Sequence, residues 1–158
     1  MKTITITDPV QIEEIIRKCP YCTVGITDLE GNPYVIPMNF AYHNGIIYLH
    51  SGPEGGKIEM VTRHPQVCIN FCEGHELVYM HHQMACSYSM KSRSVICRGK
   101  VRFIEDMDEK RQVLDILMKQ YTKNECGFAE PAVRNVKIWE VRADEISCKS
   151  FGLRPSEI

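Results

Sequence analysis

Nowhere in the 158 residues is there an uninterrupted apolar stretch of the ~18 residues a bilayer-spanning helix requires. A helical membrane protein is therefore not expected. The opening segment Met1-Lys2-Thr3-Ile4-Thr5-Ile6-Thr7 alternates polar and apolar side chains and lacks the apolar core of a secretory signal. The expected compartment is the cytoplasm. An excess of one charge is also missing: 19 Lys and Arg against 20 Asp and Glu leave a net charge of −1, which offers no electrostatic footprint for nucleic acid. Tryptophan occurs once. The phosphate-loop spacing G-x-x-x-x-G-K-[ST] and the H-x-x-x-H spacing of a helical metal site are both absent, so His75, His81 and His82 are not read as metal ligands.

What is present is an ordinary globular balance, 44% hydrophobic and 25% charged residues, in a length that suits one domain over 1–158. The eight cysteines, with no export signal before them, are expected to be free thiols. Cys19-Pro20-Tyr21-Cys22 has the spacing of a redox motif, but such a motif follows a strand and opens a helix, whereas this one follows a helix. Cys68 and Cys72 share one face of an apolar strand and have no second pair with zinc-like spacing.

Asp8-Pro9-Val10-Gln11 reads as a helix cap, and Ile12, Ile15 and Ile16 supply the apolar stripe of a helix to about Lys18. Strands follow over Tyr21–Thr27 and about Tyr34–Tyr42, separated by a turn at Asp28–Asn32. Asn44-Gly45 marks a type I′ hairpin, because that pair supplies two positive φ angles, and Ile46–His50 is its second strand. Gly55-Gly56 introduces a short helix over Lys57–Arg63, and Val67–Phe71 is a buried strand. The stretch from Glu73 to Arg93 has no clean period. Ser94–Glu105 alternates as a strand, Asp106 caps a helix that reaches about Thr122, a loop follows, and Val136–Cys148 is the last strand. Many short strands, three helices and no β-α-β alternation predict a mainly β protein, an antiparallel barrel with peripheral helices.

Three features carry candidate chemistry. Lys57 stands at a helix entry after two glycines, where an ammonium, free amides and the helix dipole favour a phosphate. His50 and Ser51 end a strand beside that loop. Trp139 could stack on a flat ring or fill the core. No Ser-His-Asp order, Cys-His order or carboxylate pair can be chosen from spacing.

The segments VIPMNFAYHNGIIYLHSGPEGGKIEMVTRHPQVCINF (35–71), SMKSRSVICRGKVRFIEDMDEKRQVLDILMKQY (89–121) and VKIWEVRADEISCKS (136–150) together resemble the pyridoxamine 5′-phosphate oxidase-like, flavin-binding split-barrel family, most of all its 5-nitroimidazole-resistance branch. The resemblance implies a homodimer of split barrels with two flavin sites at the interface, holding FMN or FAD. It implies Met38, Asn39 and Phe40 along the isoalloxazine, with backbone groups pairing to its polar edge. His50 and Ser51 would follow the ribityl-phosphate side, Lys57 the phosphate, Ser94 would add a hydroxyl, and Trp139 would be the aromatic residue near the ring. His50 matches the histidine considered functional in that branch, and is the expected catalytic residue. The implied activity is a flavin-dependent oxidoreductase that takes electrons from NAD(P)H or another reductant and passes them to a small acceptor such as a nitroaromatic. A flavin-storage protein and a haem-binding split barrel are the alternatives. True pyridoxamine phosphate oxidases end in a longer arginine-containing segment that holds pyridoxal phosphate; only Arg154 answers it here, so vitamin B6 oxidation is not expected.

Overall fold

The structure, a computed structural model, describes residues 2–153; the Arg154 match lies outside the described residues. In chain order the elements are β1 (Lys2–Thr5), α1 (Pro9–Lys18), β2 (Cys22–Thr27), β3 (Pro33–Met38), β4 (Phe40–His43), β5 (Ile46–Ser51), α2 (Gly56–Arg63), β6 (Gln66–Tyr79), β7 (Tyr88–Ile104), α3 (Met107–Tyr121), α4 (Glu130–Arg134) and β8 (Lys137–Leu153). A 3-10 turn at Ala85–Ser87 lies between β6 and β7.

Local chemistry explains most of the boundaries. The Asp8 side chain accepts the Val10 N–H at 3.1 Å, with Pro9 in the first turn, where no amide is needed. Asp106 does the same for Asp108 and Glu109 at the start of α3. Asn44 and Gly45 have φ of 50° and 77°, the two positive values of the expected type I′ turn.

The strands form one antiparallel sheet in the order β3-β2-β6-β7-β8-β5-β4, with β1 on the outer half of β8. β8 is long enough for two partners on that side: residues Lys137–Arg142 pair with β5, and Lys149–Leu153 with β1. The two ends of the path, β3 and β4, are consecutive in sequence and joined by Asn39 alone. The sheet therefore curls back on itself as a split barrel. Its interior holds Ile15 and Ile16 of α1 with Val24, Phe40, Leu49, Ile69, Phe71, Val95, Trp139 and Val141 from the strands. A second cluster, Ala41, Tyr48, Ile104 and Ile138, receives Val113 and Leu117 of α3 on the other face. Among the described residues no helix is long and apolar enough to cross a membrane.

Three expectations are corrected. The single strand expected over 34–42 is two: Met38 pairs with Cys22 on β2 whereas Phe40 pairs with Leu49 on β5, so the chain changes partners at Asn39. The illegible stretch from Glu73 to Arg93 is the outer part of the long β6–β7 hairpin. A bulge at Gly74–Glu76 shifts its register and breaks the period, and Leu77, Tyr79, Met80, Met84, Tyr88 and Met90 are exposed. The loop expected after α3 contains the short helix α4, whose first turn carries Pro131.

Gly99 shows how tightly the sheet is coiled. At the β7–β8 register shift a Cβ on this residue would lie 2.3 Å from the Arg142 carbonyl oxygen, a backbone atom that cannot swing aside. Gly99→Ala is expected to cost about 1–3 kcal/mol, as overpacking does. A urea midpoint equal to that of the parent chain would contradict this.

Candidate functional site

The β3–β4 crossover and the end of β5 meet at one edge of the barrel. The β4–β5 ladder ends at the Phe40–Leu49 pair, and Asn39 and His50 are the next residues beyond it on the two chains. Phe40 and Leu49 point inward and are fully buried; alternation turns Asn39 and His50 to the exposed face. Ser51 returns to the inward direction. The indole Nε1–H of Trp139 donates to Ser51 Oγ at 3.0 Å, and the Ser51 hydroxyl donates to the Gly52 carbonyl at 3.0 Å. One acceptor position on the hydroxyl is left over.

Four residues further on, Gly55 takes φ 117° and ψ 173°, a conformation essentially confined to glycine, and delivers the chain into α2. Unlike α1 and α3, α2 has no side-chain cap. Its Ile58 and Glu59 amides bond to the Gly55 carbonyl, and the Gly56 and Lys57 amides have no partner among the described residues. Lys57 forms no ion pair among the described residues. Although the residue keeps exposed surface, partial desolvation of the ring, and after it the Lys57 charge, hold the His50 imidazole below its ordinary pKa, which favours the neutral form at pH 7. Among the described residues, two amides without a partner and an ammonium without an ion pair fit a phosphate group, and the first turn also carries the Glu59 carboxylate, which does not cap the helix.

The other expected site residues are distributed differently. Met38 is buried, while Asn39 lines a shallow cavity of about 440 Å³ with Pro20, Tyr21, Pro37 and Met38. The Phe40 side chain is wholly buried and edge-on to Phe71 at 4.8 Å, so it offers a ligand no ring face. Its N–H is also occupied, by the Tyr121 hydroxyl at 2.9 Å. Trp139 has no exposed surface and packs edge-on against Phe103 at 5.8 Å; among the described residues its indole N–H goes to Ser51 at the end of β5. Ser94 lies on β7, paired with Cys72 on one side and Lys149 on the other, and lines neither the Asn39 cavity nor the end of β5. The Tyr121 contact with the Phe40 amide was not legible, because in sequence Tyr121 only extends the apolar stripe of α3.

The cysteines are free. Cys19 caps α1 and Cys22 opens β2; burial pushes their thiols up to about 11 and about 12, which disables the redox spacing. In a native thiol titration at pH 8, Cys86 and Cys126, the two exposed thiols, are expected to react first, with Cys19, Cys22 and Cys97 silent until the protein unfolds. Rapid labelling of Cys19 or Cys22 would contradict that burial. Cys72 Sγ lies 3.7 Å from His75 Nε2 at the β6 bulge, but among the described residues no group of three or more His, Cys, Asp or Glu could hold a metal ion.

The sequence profile described as pyridoxamine 5′-phosphate oxidase matches residues 8–150. The chain belongs to that family. A candidate 5-nitroimidazole antibiotic resistance protein from Bacteroides thetaiotaomicron is 60% identical to this family member, over 94% of this chain and 87% of the other, with a TM-score of 0.87. The flavocytochrome Anf3 from Azotobacter vinelandii superposes with a TM-score of 0.79 at 20% identity, over 96% of this chain and 71% of its own. The FAD and heme binding protein from Mycobacterium smegmatis does so with 0.83 at 17%, over 94% and 74%. At such identities the last two show that the pyridoxamine 5′-phosphate oxidase-like protein shares their fold. No curated protein matches the chain.

Proposed function

We propose that the protein is a flavin-dependent oxidoreductase that binds FMN or FAD and reduces a small acceptor, with nitroaromatics such as 5-nitroimidazoles as the leading class. The observation that carries this proposal is the uncapped start of α2, with Lys57 close enough to His50 to act on its charge, in a chain 60% identical to a candidate 5-nitroimidazole resistance protein.

A bound flavin supplies the electron exchange; the protein binds, orients and shields it. Lys57 and the open amides of α2 hold the phosphate. Asn39, exposed at the crossover, is the side chain available to the ring's polar edge. Ser51, held by Trp139, keeps the end of β5 fixed between them. A neutral His50 accepts a hydrogen bond at pH 7 and becomes a proton donor only when an anion offsets Lys57. We further propose a homodimer, with the exposed apolar side chains of the β6–β7 hairpin against the second copy and that contact bringing Ser94 to a flavin.

A pH dependence follows. His50 is depressed in the free protein, and a neighbouring phosphate dianion raises it, so binding takes up a proton between the two pKa values and affinity rises as pH falls through that window. Calorimetry of FMN binding near pH 6.5 in buffers of different ionisation enthalpy is expected to show proton uptake that His50→Gln loses. Equal uptake in both proteins would remove His50 from the phosphate. The activity itself is tested by reducing the flavin-loaded protein anaerobically with NAD(P)H and adding a 5-nitroimidazole. Reoxidation is expected; none beyond the buffer control would leave a flavin-storage protein instead.

A further inference from the structure

Asn39 is the one residue between β3 and β4, and neither the β2–β3 nor the β4–β5 ladder includes it. A crossover at the junction of two sheet edges needs something else to fix it. The structure supplies one contact from far along the chain: Phe40, the residue after Asn39, donates its N–H to the hydroxyl of Tyr121, 81 residues later. Tyr121 is the last residue of α3, and α3 is anchored beneath β4 through Val113 and Leu117 against Ala41. The phenol therefore stands on a packed helix rather than on a loop.

A phenolic hydroxyl can accept one hydrogen bond and donate another. Accepting from Phe40 leaves the Tyr121 O–H uncommitted among the described residues, and the residue is 45% exposed. A ligand at the Asn39 edge would thus meet, at the place where an edge amide is expected, a hydroxyl that has already taken that amide. We infer that Tyr121 is a positioning residue for the flavin: it pins the β3–β4 crossover that presents Asn39, and it offers its own O–H to the polar edge of the ring in place of the Phe40 amide. This rests on the flavin site proposed above.

The test is Tyr121→Phe in the full chain, with FMN as the probe. Three results are expected: FMN affinity falls about three- to tenfold, as for the loss of one hydrogen bond; the visible absorption bands of the bound flavin shift; and the Phe40 amide exchanges with solvent faster than in the parent. Faster exchange with unchanged affinity and spectrum would overturn the inference, leaving a contact that serves the fold alone. Unchanged exchange would overturn the pinning itself. If the variant does not fold, the parent protein decides the question: with ¹³C-labelled tyrosine, FMN is expected to shift the Tyr121 Cζ resonance, and an unmoved resonance refutes the contact. A parent protein that binds neither FMN nor FAD would fail the flavin site instead, a result separable from the exchange of the Phe40 amide, which needs no ligand.

Discussion

Lys57→Ala is expected to empty the protein of flavin during purification. The ammonium has no carboxylate partner among the described residues, so its removal costs the fold little, whereas a bound phosphate would lose a charge-assisted contact worth about 1.5–3 kcal/mol. That corresponds to roughly 10- to 150-fold in dissociation constant. The same substitution has a second readout that needs no ligand. Lys57 is one of the two causes that depress His50, so the imidazole of the variant should titrate closer to its ordinary value in an NMR pH series. Flavin retained at parent levels, with His50 unmoved, would show that Lys57 neither binds the phosphate nor faces His50.

The largest expected loss of stability lies at Trp139. The indole is completely buried, touches Phe103 edge-on and spends its N–H on Ser51. Trp139→Ala removes a large core side chain and is expected to cost about 3–5 kcal/mol, which for a chain of this length lowers the melting temperature by roughly 10 °C. Trp139→Phe keeps much of the volume and loses the hydrogen bond, so a smaller loss is expected. The contrast between stability and binding is informative. A Trp139 that stacks on a ring would lose flavin on substitution while the apo fold held; a Trp139 that fills the core, as here, destabilises the apo protein first. Thermal melts of the apo variants separate the two, and an unchanged apo melting temperature for Trp139→Ala would contradict the burial.

The fold was legible where local chemistry and hydrophobic period agree. The Asp8 and Asp106 caps, the Asn44-Gly45 turn and the helix after Gly55-Gly56 are each specified by a few neighbouring residues, and the structure places all of them close to where the sequence does. What the sequence concealed depends on pairing at a distance. The break at Asn39 has no turn residue to announce it, because it arises from a change of partner strand. The outer hairpin hides its period behind the His75 bulge, where φ reaches 143° in a residue that is not glycine. At the candidate site, His50, Ser51 and Lys57 could be grouped because they are close in sequence. Tyr121 could not, since a hydrogen bond across 81 residues leaves no local pattern. Trp139 and Phe40 were the reverse case. The resemblance sets both beside a flavin ring, and only packing shows that both side chains are wholly inside.

The most direct test is the absorption spectrum of freshly purified protein, joined to the mass of whatever chromophore it releases on denaturation. The expected result is the paired near-ultraviolet and blue bands of an oxidised flavin, with a released mass equal to FMN or FAD. A colourless protein that takes up neither on titration, or a Soret band without flavin, would contradict a flavin site at the Asn39–His50–Lys57 edge.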